Sequence, residues 1–123
     1  MKVKEIKGNM ESVDVLVRII QVLPTRTVRT KRGEEKKIQE LIAGDETGRI
    51  KVVLWENFGN FKQNDVIKIE NGWTTVFKDQ IELNAGKRSR VIIASDSSIP
   101  PIEKIPNTVQ SIGEYRIPLK RKE

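Results

Sequence analysis

The sequence predicts an all-β domain, a small closed barrel of five strands. Three observations carry that expectation. β-branched and aliphatic residues alternate with polar ones over short runs. Clusters of Gly, Asp and Asn punctuate those runs as turns. No segment has the length and spacing of a long helix, and the one slot open to a short helix falls between the third and fourth strands.

The elements follow in order. VDVLVRIIQVL, 13–23, puts Val13, Val15, Val17 and Ile19 on one parity, which makes a long strand with one buried face. Pro24 interrupts it, and TRTVRT, 25–30, resumes the alternation in polar form, so the strand is expected to continue past a bend. KRGEEKK, 31–37, reads as a charged loop around Gly33, and IQELIAG, 38–44, as the second strand. GDETG, 44–48, is a tight turn. RIKVVLW, 49–55, alternates with Ile50, Val52 and Leu54 on the core side and Arg49, Lys51, Val53 and Trp55 on the other. After a connector at 56–65, VIKIENGWTTVF, 66–77, forms the fourth strand and KDQ, 78–80, its turn. IELNAG, 81–86, with RVIIAS, 90–95, makes the fifth strand, interrupted by KRSR at 87–90. A long bent first strand lets one segment pair with both sides of a closed sheet. This is the pattern of an OB-fold, with an SH3-like barrel or a sandwich as the alternative.

The OB-fold domain is expected to span 1–95. The remainder, 96–123, holds four of the five prolines and reads as a Pro-containing strap. Ile99, Ile102, Ile105, Ile112 and Ile117 are too many for a freely solvated tail, so docking is expected to about residue 117, followed by a free basic LKRKE.

Composition narrows the function. The 123 residues carry 23 Lys and Arg against 17 Asp and Glu, a net charge of +6, which favours a polyanion partner, nucleic acid before anionic membrane. The absence of Cys and His removes disulfides, thiolate chemistry and ordinary zinc sites, and no cofactor or metal is expected. No nucleophile–base pair and no Gly-rich phosphate loop is present, and Asp45 and Glu46 read as turn residues, so no enzyme is expected. There is no run of about 18 apolar residues and no signal-peptide pattern at the start, so a cytoplasmic protein without a membrane association is expected. The 33% charged content together with the missing Cys suits a thermophile.

The chain has two Trp, three Phe and one Tyr. Trp73, Thr75 and Phe77 share a parity, and strict alternation from Ile67 and Ile69 would turn them into the core. Asn71-Gly72 in mid-strand is a bulge signal, and one extra residue there turns Trp73, Thr75 and Phe77 outward and Val76 inward. Trp55 already shares its parity with Arg49 and Lys51. The outward arrangement would place two Trp and a Phe on one surface flanked by Arg49, Lys51, Lys78 and the basic stretch containing Arg26, Arg29, Lys31, Arg32, Lys36 and Lys37. Such a platform stacks bases of any single strand while cations follow the phosphates. Parity alone leaves core and platform both open.

GDETGRIKVVLW (44–55) followed by IENGWTTVFKDQIELNAG (69–86) resembles the archaeal single-stranded DNA-binding proteins of the one-OB-fold type, in particular the crenarchaeal, Sulfolobus-type proteins. NMESVDVLVRI (9–19) and TKRG (30–33) fit as well, and the likeness covers roughly 9–95. The resemblance implies that Trp55, Trp73 and Phe77 are the stacking residues, which favours the bulge. It also implies that Arg26, Val28, Thr30 and Lys31 wall the binding groove. The implied partner is single-stranded DNA, with RNA as the alternative, and the implied role is protection of DNA in replication, recombination or repair by a protein monomeric without DNA. The family's long Gly/Arg-rich, acidic-ended tail has no counterpart in IPLKRKE (117–123), so recruitment of replication or repair proteins through such a tail does not carry over. An RNA- or tRNA-binding OB module and an OB subunit of a replication protein A-like complex are the rival readings.

Overall fold

The computed structural model describes residues 1–55, 59–95 and 98–111. Among these residues, seven strands make one sheet system: β1 (Val13–Val22), β2 (Arg26–Arg29), β3 (Glu35–Asp45), β4 (Gly48–Leu54), β5 (Val66–Phe77), β6 (Gln80–Ala85) and β7 (Arg90–Ile93). The order β1-β3-β4-β6-β5 closes on itself because β1 also pairs with β5. β1 achieves this by dividing its length. Val13 to Arg18 run antiparallel to β5, and Arg18 to Val22 run antiparallel to β3. Each of the five barrel strands therefore has two neighbours, and the short β7, paired only with β5, is left at an edge.

The strand faces follow the sequence pattern. Val13, Val15, Val17 and Ile19 of β1 and Ile50, Val52 and Leu54 of β4 are all buried, and Ile67, Ile69 and Leu83 join them from β5 and β6. The β5–β6 hairpin turns on Lys78 and Asp79, both at positive φ (51° and 69°), as a two-residue turn with the twist of its strands requires.

Three expectations are revised. The polar segment after Pro24 does not prolong β1. It forms β2, which pairs with the start of β3 from Arg26↔Ile38 to Arg29↔Glu35. The charged segment 31–37 is accordingly half strand: β3 begins at Glu35 and the loop is shorter. The residues around KRSR do not make one interrupted strand. β6 runs parallel to β4 and antiparallel to β5, whereas β7 pairs with the first half of β5. A polar alternation and a charge run do not reveal which neighbour a strand will take. Part of the helix slot, 56–58, lies outside the described residues, and 59–65 contain no helix.

Both ends of the described chain pack on the barrel. A 3₁₀ turn, Val3–Glu5, buries Val3 and Ile6 at one end. Asp45, fully buried in the β3–β4 turn, accepts the Val3 amide at 2.9 Å and the Thr47 amide and hydroxyl at 2.8 and 2.6 Å. The carboxylate is thus satisfied by three donors. Residues 98–111 lie along the barrel and bury Ile99 and Ile105, which are 2% and 3% exposed. Two arginines hold this strap by its carbonyls. Arg18 donates to Ile99 and Pro100 at 2.9 and 2.8 Å, and Arg49 donates to Pro106 and Ile105 at 2.9 and 3.3 Å. Further along, Gln110 bonds the backbone of both Arg49 and Ile81, filling the gap where β4 and β6 diverge. Ile112 and Ile117 lie outside the described residues.

Ile99→Ala and Ile105→Ala should each lower unfolding free energy by about 2–5 kcal/mol, the usual cost of truncating a buried aliphatic side chain. Denaturant titration measures this. Parent-like midpoints for both variants would show that the strap adds nothing to the fold.

Candidate nucleic-acid interface

The outer face of β4, β6 and β5 gathers the predicted aromatic residues. Across it Trp73 stands opposite Asn84, Thr75 opposite Glu82, and Phe77 opposite Gln80. On the other side of β6, Val53 faces Asn84 and Lys51 faces Glu82. Trp55 follows β4 directly, with its amide bonded to the Ala85 carbonyl at 2.9 Å. The Trp73 ring and the Cβ of Trp55 both lie against Gly86. A Cβ built there would lie 3.0 Å from Cη2 of Trp73 and 3.9 Å from Cβ of Trp55, so a side chain at 86 would push Trp73 away. Phe77 is 57% exposed at the end of β5, about 13 Å along the strand from Trp73 at ~3.3 Å per residue. The Lys78 ammonium sits 5.4 Å from the centre of its ring, within cation–π range.

One extra residue on β5 sets this direction. Val15 pairs with Ile69 but Val13 pairs with Gly72, so three steps on β5 oppose two on β1. The bulge is carried by Asn71, at φ 59°, rather than by Gly72. Asn tolerates the left-handed region because its short side chain finds local partners. Here its amide nitrogen Nδ2 donates to the Arg88 carbonyl at 2.9 Å, and its backbone N–H donates to Asp14 Oδ1 at 2.8 Å. Gly72 turns inward, where a Cβ would meet the Asn84 carbonyl at 2.8 Å and Leu83 Cδ1 at 3.0 Å. Thr74 follows it into the barrel wall and is 3% exposed. Its hydroxyl donates to the Lys7 carbonyl at 2.6 Å and accepts the Met10 amide at 2.8 Å. Trp73, Thr75 and Phe77 consequently face out. Val76, expected inward, is 39% exposed although its cross-strand partner Ile81 is in the core, and the segment around Gly8 lies against it.

Asn84 is a site residue that the sequence reading missed. It is buried, accepts the Trp55 indole N–H at 2.9 Å, and donates to the Trp73 carbonyl at 3.3 Å and the Thr75 hydroxyl at 3.2 Å. It thereby fixes Trp55 relative to β5. The sequence carried little signal, because Asn84 shares the polar parity of Gln80 and Glu82 in an alternating strand.

The predicted cations divide into paired and unpaired. Arg26 grips Glu40 with two bonds of 3.1 Å, and Lys51 reaches Glu40 at 3.1 Å and Glu82 at 3.7 Å. The Glu40 side chain is only 8% exposed. The Arg26 hydrogen bond holds its carboxyl below the usual range against the opposing effect of burial, and Lys51 adds to the lowering. The same bond raises Arg26. Arg49 is engaged with the strap carbonyls. Lys31 and Arg32 are exposed at the tip of the β2–β3 hairpin, and Lys78 is exposed beside Phe77. None of these three makes an ion pair among the described residues. Val28 is half-buried on β2. Thr30 closes the hairpin loop, with its amide donating to the Glu34 carbonyl at 2.8 Å and its carbonyl accepting the Gly33 amide at 2.9 Å.

Because Glu40 is lowered in the folded state, its stabilisation is present above the ordinary carboxylate range and is lost as pH falls through the folded value. Glu40→Gln should therefore be less stable than the parent at neutral pH. The gap should close as pH drops below about 4, the ordinary carboxylate range. Urea unfolding across pH measures it, and a gap independent of pH would exclude the ionic origin.

No family model matches the chain. Single-stranded DNA binding protein Ssb of Saccharolobus solfataricus is 46% identical over 106 residues, 85% of this chain and 71% of that protein. Replication factor A of Methanothermobacter thermautotrophicus is 30% identical over 97 residues, 75% of this chain but 12% of the relative. Among solved structures, a replication factor A related protein from Methanobacterium thermoautotrophicum superposes with a TM-score of 0.64 at 25% identity, covering 76% of this chain and 89% of that one. An OB domain from Thermoplasma acidophilum gives 0.68 at 21% identity, covering 81% and 90%, which is a likeness of fold. The barrel is an OB-fold.

Proposed function

This chain belongs to the crenarchaeal single-stranded DNA-binding protein family represented by Saccharolobus solfataricus Ssb, and from that membership we propose that it binds single-stranded DNA in the cytoplasm, stacking bases on Trp55, Trp73 and Phe77. It acts as a binding protein rather than an enzyme and protects the strand during replication, recombination or repair. The observation that carries this reading is the bulge that turns Trp73 to the outside of a closed barrel, where its ring and Trp55 both reach Gly86, with an exposed Phe77 farther along the same strand. A folded domain gains little from holding large rings at its surface, whereas each base stacked on such a ring is worth about 1–3 kcal/mol. Asn84 and the Asn71 bulge keep the rings oriented before any ligand arrives, which reduces the ordering cost of binding. Duplex DNA has its bases already stacked and paired, so the platform discriminates against it.

Tryptophan fluorescence titrated with oligo-dT tests the proposal, with duplex and oligo-rU as parallel arms. The expected result is strong quenching by oligo-dT and weak binding of duplex. Confirmed binding with an unchanged spectrum would remove the platform from the interface.

Two kinds of variant separate stacking from charge. Trp73→Ala should cost about 1–3 kcal/mol of binding and leave the dependence on salt unchanged, because stacking releases no counterions. Lys78→Ala should flatten the slope of log affinity against log salt by about 0.7, the value of one phosphate contact on a single strand. Lys51→Ala should change that slope by less, because Glu40 and Glu82 already neutralise its charge. A Lys51 effect as large as that of Lys78 would mean that Lys51 leaves its carboxylates for a phosphate.

A further inference from the structure

We propose that the loop 86–89 and the cleft beside it form a phosphate-binding subsite that carries a single strand past Trp73, an inference that rests on the DNA-binding reading above. KRSR at 87–90 interrupts the strand pattern, and nothing in the platform itself accounts for it. In the structure Lys87 and Arg88 are exposed and, with Trp73, line a cleft of about 710 Å³. That volume falls within the roughly 300–1,000 Å³ of ordinary ligand sites. Asn9, Ser12 and Asn71, all at positive φ, add polar groups to its wall, and Glu11 is the one acid that lines it.

The loop is held in place. Ser89 Oγ accepts the Gly86 amide at 3.1 Å and donates to the Asn71 carbonyl at 2.8 Å, and the Ser89 amide returns to the Gly86 carbonyl at 2.9 Å. Asn71 holds the Arg88 carbonyl from its side chain. The residue that turns Trp73 outward is therefore also the residue that sets the two cations next to it. Arg26 and Lys51, by contrast, are neutralised by Glu40, and Arg49 is engaged with the strap. Arg90 of the same run lies 3.9 Å from Glu70. Lys87 and Arg88 make no ion pair among the described residues. An unpaired Lys–Arg pair beside a stacking ring is the combination that lets one nucleotide place its base on the indole and its phosphate on the loop.

The experiment is a salt titration of oligo-dT binding by the parent, by the double variant Lys87→Ala/Arg88→Ala, by the charge-preserving Lys87→Arg/Arg88→Lys, and by Lys62→Ala/Lys104→Ala, which removes the same charge elsewhere. Losing two phosphate contacts should lower the slope by about 1.4. The affinity deficit should then be about 25-fold larger at 0.1 M than at 1 M salt. Tryptophan quenching at saturation should persist, and the charge-preserving variant should keep the parent's slope. The inference is overturned if the double variant keeps the parent's slope, or if the distant pair lowers it equally. In either case the parent's own binding and quenching would still stand. A parent that does not bind oligo-dT would instead overturn the DNA-binding reading, and the subsite with it.

Discussion

A single left-handed residue governs the relation between the inside and the outside of this barrel. Side chains on a strand alternate with a period of two, so a one-residue slip exchanges the faces of everything beyond it. β5 is long enough to pair with β1 and β7 along its first half and with β6 along its second. An unbroken β5 would send Trp73 and Phe77 into a space already filled by Ile50, Val52, Leu54 and Leu83. The bulge at Asn71 resolves that conflict, and it sends Gly72 and Thr74 inward in their place. The cost is a threonine hydroxyl in the barrel wall, which the carbonyl of Lys7 and the amide of Met10 satisfy. Closing the barrel and exposing the rings are thus one structural event.

The electrostatics follow a related division. A net charge of +6 suggests a uniformly basic surface, yet the centre of the aromatic face is nearly neutral, since Glu40 and Glu82 meet Arg26 and Lys51 there. Unpaired cations sit instead toward its limits, on the hairpin tip, beside Phe77 and beside Trp73. A middle that accepts flat, weakly polar rings and a margin that attracts anions match the two halves of a nucleotide. A buried carboxylate among those cations also keeps Arg26 and Lys51 from disordering when no ligand is present.

Much of this was legible from the sequence, and the exceptions share a cause. The alternation of Val13 to Ile19 and of Ile50 to Leu54 stated the core directly, since burial on one face of a strand leaves a local, periodic trace. The dipeptide Asn71-Gly72 announced a bulge, but local sequence did not say which of its two residues would take the left-handed conformation. Asn84, the Glu40 network and the engagement of Arg49 depend on partners that are distant along the chain: Trp55 for Asn84, Arg26 for Glu40, and Pro106 for Arg49. Parity placed Arg49 and Lys51 on the same face and could not show that a carbonyl would claim one and a carboxylate the other. β2 and β7 were misread for the same reason, because a strand's neighbour is a property of the whole sheet.

The strap's contact at Gln110 has a consequence for how the molecule comes into being. Gln110 donates its side-chain amide to the carbonyls of Ile6 and Lys4, spanning 104 and 106 positions of sequence. Closure of β1 on β5 already joins residues 57 apart, as in the bond between Asn71 and Asp14. Chain synthesis presents the amino end first, at about 5–20 residues per second. The emerging strands must therefore wait, unpaired, until their partners have left the ribosome. Topologies with contacts this distant fold in roughly milliseconds to seconds rather than microseconds. Assembly therefore waits on late-made partners, and Gln110 ties down residues made about a hundred positions before it.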